Sequence, residues 1–400
     1  MTLPLKSFRV LDLSNVLAGP FCAYQLALMG AEVIKIESPE GGDLARRLGA
    51  DAEAASKLMG ISFLAVNAGK QSVTLNLKHA EGKAILKKMV ADADVLVENF
   101  RPGVMKRLGL DYGVLKETNP GLVYCAISGF GQDGPWSGRP AYDQIVQGLS
   151  GLMSVTGDTD TAPLRAGFPV CDTIGGMEAA FAIAAALAGK ARTGEGCMID
   201  VSMLESTLAS MGWIVSNYLA TGKAPVPMGN ENMTAAPSGA LATGEGLLNI
   251  AANEQKQFEA LCDAIGRPEL KTDACYASRE ARKQHRFALK EDIEAGLKSR
   301  SAAEWEAVLN DAGVPAGQVL SVPQILDHEQ VKGRGFVVSI ADVPGLGKPA
   351  HVSRGGFMVN GEGARPSAPP PPLGAHTDAW LLKLGYDVAD IARLRTGKTI

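Results

Sequence analysis

The sequence predicts an α/β protein: a doubly wound parallel sheet in a large domain, with a second, smaller α+β domain. Three observations carry this. Strand and helix signals alternate through the first 130 residues. The strand runs are apolar and β-branched. At 400 residues the chain is long for one core, and its character changes after a loop-like tract near its middle.

The elements follow in order. "FRVLDLS" (8–14) reads as a strand. "GPFCAYQLALMG" reads as a helix with Pro20 at its first position and Gly30 as its stop, and "AEVIKIES" (31–38) as a second strand. This strand–helix–strand unit calls for parallel strands and a right-handed crossover. The pattern repeats: strand "SVTLNL" (72–77), amphipathic helix "AEGKAILKKMVADA" (80–93), strand "DVLVENF" (94–100), short helices, then strand "LVYCAISGFG" (122–131). Small-residue helices are expected around 144–155 and 173–189, a strand at 197–203 and a long helix over 204–220. The tract "TGKAPVPMGNENMTAAPSG" (221–239) looks like a linker, and charged helices follow, one opened by a Ser301/Glu304 capping box. The proline tract "RPSAPPPPLG" (365–374) is read as an extended strap, with a helix after it. Residues 1–222 are assigned to the large domain, 223–325 to the small one and 326–400 to a return to the large one. Ligands of such a sheet bind beyond the carboxyl ends of its strands.

Composition narrows the function. A net charge of −4 gives no general nucleic-acid footprint, so any polyanionic ligand needs a local basic patch. The N-terminus runs straight into a strand pattern without a signal-like apolar region. The most apolar stretch, 168–189, carries Asp172 and Glu178, which favours a buried helix over a membrane span. Six cysteines form no C-x-x-C pair and read as free thiols of a reducing cytoplasm. Five scattered histidines give no metal-ligand spacing, so no metal is expected.

Asp172 in "FPVCDTIGGM" reads two ways: as the cap of the helix that follows, or as a nucleophile beside Gly175 and Gly176. Cys171 is a rival nucleophile, though an isolated Cys in an apolar run is more often buried. Glu37 ends the second strand, where a ribose-binding acid would stand. The preceding turn, "SNVLAGPFC", has one glycine, so a pyrophosphate cradle is missing. "ENFRPGVMKRLG" (98–109) places Phe100 beside Arg101, Lys106 and Arg107, a candidate adenine and phosphate site to which Lys70, Lys78 and Arg139 could add.

Taken together, "VLDLSNVLAGPFC", "GAEVIKIESPEGGD", "VENFRPGVMKRLGL", "YCAISGFGQDGP", "PVCDTIGGM" and "PPPLGAHTD" resemble the family III CoA transferases, over nearly the whole chain. The resemblance implies a Rossmann-like large domain, a small domain, and two protomers threaded through each other as an interlocked homodimer. It implies that Asp172 attacks an acyl-CoA thioester and carries first the acyl group and then CoA. For CoA, a substrate and not a tightly bound cofactor, it implies contacts from Val16, Leu75, Lys78, Asn99, Phe100, Arg107, Arg139 and Tyr142. A carboxylate suits this chemistry because it can hold either half of a thioester, and the anhydride demands a dry site. Backbone groups near Gly175 and Gly176 are the expected oxyanion donors.

Departures refine the reading. Formyl-CoA transferases carry Gln where this chain has Leu17, and a tetraglycine loop absent here, which disfavours formyl and oxalate chemistry. Related 2-methylacyl-CoA racemases use the His of a Gly-His-Asp motif as a second base. This chain has Ala141-Tyr142-Asp143, and tyrosine is a poor base at neutral pH. The pattern is most similar to transferases of succinyl-CoA and C4–C6 dicarboxylates, with Arg46 or Arg165 as a candidate for the distal carboxylate. A racemase or a catalytically silent CoA-binding dimer is the alternative. No nucleic-acid or membrane partner is expected.

Overall fold

The computed structural model describes residues 3–400. The described residues divide into two compact units: 3–152, 165–222 and 329–400 in one, and 153–164 with 223–328 in the other. The larger unit is built on six parallel strands, β1 (Arg9–Asp12), β2 (Glu32–Glu37), β3 (Lys70–Thr74), β4 (Val95–Glu98), β5 (Val123–Ser128) and β6 (Cys197–Ser202). Their spatial order is β3-β2-β1-β4-β5-β6, so the winding reverses between β1 and β4.

Alternate residues of each strand face opposite layers. Leu11, Ile34, Val73, Leu96 and Tyr124 point into one core, closed by α2 (Ala80–Ala91) and the C-terminal helices. Val10, Val33, Val97, Cys125 and Ile127 point into the other, closed by α1 (Ala18–Leu28) and the long α6 (Val170–Thr193). This explains the near-continuous apolar runs, since both faces are covered.

Helix α6 is long and apolar enough to cross a membrane by length and composition. Its placement in the second core accounts for that composition: Ala179, Ala180, Ile183 and Leu187 are buried there. Gly175 and Gly176 lie inside this helix. A Cβ on Gly176 would meet the Ala18 carbonyl at 2.4 Å, and one on Gly175 would meet Met203 Cγ at 3.1 Å. These glycines are where neighbouring helices approach α6, and they stand outside its first turn. Their expected role as oxyanion donors is therefore corrected, because an interior helical N–H is already bonded within the helix.

The free edge of β3 is covered by the proline strap. Gly69 N–H donates to Ala368 O (2.8 Å), His376 N–H to Ser72 O (2.9 Å) and Thr74 N–H to Thr377 Oγ1 (2.9 Å). The strap thus protects an otherwise open sheet edge. The long helix expected over 204–220 is broken into Met203–Ser210 and Gly212–Thr221, because Met211 leaves the helical region (ψ 16°) ahead of Gly212.

The smaller unit holds a three-stranded antiparallel sheet, β7 (Ser238–Ala242), β8 (Leu247–Ala251) and β9 (Ala316–Gln318). It packs with helices around Phe258, Leu261, Ile293 and Trp305. The Ser301/Glu304 capping box forms as read from the sequence.

Candidate active site

The loops leaving the carboxyl ends of β1, β4 and β5 part where the strand order reverses. The cavity between them, about 280 Å³, is lined by residues 15–18 after β1, 99–102 after β4 and 127–129 at the end of β5. Arg139, Ala141, Tyr142, Asp172 and Met203 complete it. A second cavity of about 280 Å³ shares Asn15 and Phe100 with the first. Its walls are mostly apolar, including Leu13, Ile36, Leu75 and Leu108, with Glu37, Ser38, Asn76 and Lys78 among the polar lining.

Asp172 reaches the first cavity from the opening turn of α6. The helix starts at Val170 after Pro169, so Asp172 is its third residue and not its cap. The cap comes from elsewhere. Asp143, the buried first residue of α5 (Asp143–Leu149), accepts from the backbone N–H of Cys171 (2.8 Å) and, through the same oxygen, of Asp172 (3.3 Å). Its other oxygen accepts from Gln147 Nε2 (2.6 Å), and Gln147 Oε1 accepts from Ala166 N–H (2.8 Å). A foreign carboxylate therefore satisfies donors that Pro169 cannot.

This arrangement sets the chemistry of position 172. Burial, with the Asp143 charge added to it, pushes the Asp172 carboxyl up from its ordinary 3.8 to about 7. Desolvation and a like charge thus outweigh the favourable field of the helix N-terminus at this position. A carboxylate near this value is still about half ionised at neutral pH, and is more basic, hence a better nucleophile, than an exposed one. Cys171 is buried, and burial pushes its thiol up to about 11, which leaves almost no thiolate and removes it as a rival.

The loop after β1 has an uncommon backbone. Val16 takes φ +66°, a left-handed conformation that costs a β-branched residue about 1–3 kcal/mol. The loop is held on both sides. Asn15 N–H donates to Asn99 Oδ1 (2.8 Å) while Asn99 Nδ2 donates to Asn15 O (2.8 Å), and Val16 N–H donates to Asp43 Oδ1 (2.9 Å). Phe100, at the junction of the two cavities, is fixed through its N–H to Glu98 Oε2 (2.7 Å).

The profile of CoA-transferase family III matches residues 5–377. The chain belongs to CoA-transferase family III. It is 41% identical to an acetyl-CoA:oxalate CoA-transferase of Acetobacter aceti, over 88% of this chain and 89% of that one. It is 36% identical to a succinate–glutarate CoA-transferase of Agrobacterium fabrum, over 95% and 96% respectively. A crystal structure of a CaiB/BaiF family protein from Brucella suis superposes with a TM-score of 0.83 at 34% identity, covering 96% of this chain and all of that one. The relative named for oxalate tempers the expectation, drawn from Leu17 and the missing tetraglycine run, that oxalate chemistry is disfavoured.

Of the residues implicated by the family resemblance, Val16, Asn99, Phe100, Arg139, Tyr142 and Asp172 come together in the first cavity of this family III enzyme, and Leu75 and Lys78 in the second. Arg107 lines neither and stands exposed on α3 (Val104–Leu108). Asn99 reaches the cavity, but its amide is spent on the Asn15 backbone.

Other candidates are placed differently. Arg46 is fully buried and pairs with both oxygens of Glu37 (2.7 Å each), so neither serves a substrate carboxylate or a ribose. Lys70 is buried against Asp12 (2.8 Å) and cannot join a phosphate patch. Burial pushes the Asp12 carboxyl up, but Lys35 and Lys70 outweigh it and hold it down to about 2. Arg165 remains exposed, donating to Ala166 O (3.2 Å).

Proposed function

We propose that the protein moves CoA from an acyl-CoA thioester to a free carboxylic acid, with a dicarboxylate as acceptor and succinyl-CoA as the first donor to try. One observation carries this reading: a basic, half-buried carboxylate opens into a cavity that is also lined by Val16, Asn99, Phe100, Arg139 and Tyr142, which the family resemblance assigns to CoA. The two cavities sharing Phe100 suit an extended ligand, with adenine among the aliphatic side chains around Leu75 and the thioester beside Asp172.

In this mechanism an ionised Asp172 oxygen attacks the thioester carbonyl. The C–S bond breaks, CoA leaves as a thiolate, and an aspartyl–acyl anhydride remains. The thiolate then attacks the aspartyl carbonyl and expels the first acid as its carboxylate, leaving CoA on Asp172. The acceptor carboxylate attacks that thioester and the thiolate leaves again. Its attack on the acceptor's carbonyl yields the new acyl-CoA and frees Asp172. Thioester free energy is kept throughout only if water stays out, and the partly buried position of Asp172 serves that need. Arg139 and Arg101, both lining the cavity, supply positive charge for the acid or the CoA phosphates.

The same reading includes a homodimer of interlocked protomers in the cytoplasm. Phe181 on α6 and Trp213, Tyr218 and Leu219 on the helix Gly212–Thr221 are strongly exposed, at 75%, 83%, 49% and 75%. Apolar groups of this size favour cover by a second copy. All six cysteines are free thiols, in keeping with a reducing compartment.

The test is a panel of acyl-CoA donors against mono- and dicarboxylic acids, in D2O, with acyl-CoA products resolved by mass. CoA appearing on the second acid supports the reading. Deuterium entering the α-position without any acceptor points to a racemase. CoA binding with neither outcome leaves a binding protein.

A further inference from the structure

We propose that Asp43 is a positioning residue for the acyl-CoA cavity: its buried carboxylate holds Val16 in the left-handed conformation that shapes the wall facing Asp172. The proposal rests on the CoA-transfer reading above.

Asp43 is held through one oxygen by hydrogen bonds and through the other by an ion pair without hydrogen-bond geometry. One Asp43 oxygen accepts from Val16 N–H (2.9 Å) and Ala45 N–H (2.9 Å), so it ties the loop after β1 to the turn after β2. The other oxygen pairs with Lys35 Nζ (3.0 Å), and the same ammonium donates to Ser14 O (2.7 Å), two residues before Val16. Asp43 and Lys35 are both fully buried, so neither has water as an alternative partner. Lys35 also lies 3.8 Å from Asp12, whose Oδ1 accepts from Ser14 N–H (3.0 Å). The backbone from Ser14 to Val16 is therefore fixed by Asp12, Lys35, Asn99 and Asp43 in turn.

Val16 is the sole β-branched residue with positive φ among the described residues. Such a conformation survives only when its surroundings over-determine it. The neighbouring Asn15, Val16, Leu17 and Ala18 all line the cavity with Asp172. Releasing Val16 lets the peptide return to ordinary φ and moves that wall, without touching any group that reacts.

Asp43→Asn tests this, because it keeps the volume. The asparagine oxygen turns to Lys35, and its NH2 then faces two N–H donors that it cannot accept from. Hydrogen exchange of the 14–17 backbone and calorimetric affinity for free CoA are read on intact Asp43→Asn, on Asp43→Asn/Val16→Gly and on the unsubstituted protein. Expected are faster exchange at Val16 and at least tenfold weaker CoA binding in the single variant. Val16→Gly should recover several-fold of that loss, since glycine takes φ +66° without a Cβ penalty. Recovery is partial because glycine is also freer elsewhere. Unchanged exchange or affinity in Asp43→Asn overturns the proposal. So does a loss that Val16→Gly does not lessen, which would assign the defect to the buried charge alone. If Asp43→Asn does not fold, Asp43→Ser with and without Val16→Gly is read the same way. An unsubstituted protein that binds no CoA defeats the functional reading instead, while exchange at Val16 still decides the tether.

Discussion

Asp143→Asn removes the one charge the structure sets against the nucleophile, and its effect is calculable. The Asp172 carboxyl rises from 3.8 to about 7, a little over 3 pH units, with burial the larger cause and Asp143 the smaller. The charge is therefore the smaller part of that rise, less than half of it, and each pH unit is equivalent to ~1.4 kcal/mol. Asp172 attacks only when ionised, so kcat/KM of the unsubstituted enzyme should fall tenfold per unit below about pH 7 and level off above it. In the variant this acid limb should move to lower pH, by less than half of that rise. At pH 5 the ionised fraction, about 1% in the unsubstituted enzyme, then rises. The alkaline plateau should drop, because a less basic carboxylate is a weaker nucleophile and the asparagine NH2 is set against Gln147. The asparagine oxygen keeps the cap on Cys171 and Asp172, so the stability cost, about 1 kcal/mol and readable in thermal melts, is that of the lost Gln147 hydrogen bond. The assay is kcat/KM for acyl-CoA from pH 5 to 9 with saturating acceptor. An acid limb that stays at 7, or moves up, would refute the role assigned to Asp143.

Three further outcomes follow from the same geometry. Asp172→Asn should abolish transfer yet stabilise the fold. Its folded pKa lies above the unfolded one, so the carboxyl's contribution is intact below about pH 4 and lost as pH rises through 7; the variant should gain on the order of 2 kcal/mol at pH 8 and almost nothing at pH 4. Cys171→Ala should keep turnover within about threefold, since a thiol held near 11 takes no part, whereas a loss of a hundredfold would return Cys171 to contention. Arg46→Met strands the Glu37 carboxylate and should cost about 3–5 kcal/mol in denaturant unfolding. Any surviving activity should keep its preference between mono- and dicarboxylic acceptors; a selective loss on dicarboxylates would restore Arg46 as a substrate ligand.

The sheet was legible in the sequence because its strands are buried on both faces. Runs such as "VLVE" and "VYCAIS" match β4 and β5, and the glycine and proline signals fall at their ends. Asp172 was legible as a lone acid in an apolar run, but its environment was not. Asp143 lies 29 residues away, and the contact depends on how α5 packs against α6. Charged residues misled for the same reason. Arg46 and Lys70 read as cations for a substrate carboxylate and for phosphate, while the fold pairs them in the interior with Glu37 and Asp12, and nothing in local spacing shows such pairing. The strain at Val16 is equally silent in sequence, since valine there looks like ordinary strand-end material.

The most direct test is to mix the enzyme with an acyl-CoA donor, quench with hydroxylamine and map the modified peptide by mass. The account predicts a hydroxamate on Asp172 alone, appearing before any acceptor is added and absent from Asp172→Asn. A modified Cys171, or steady CoA transfer in which Asp172 is never labelled, would contradict it.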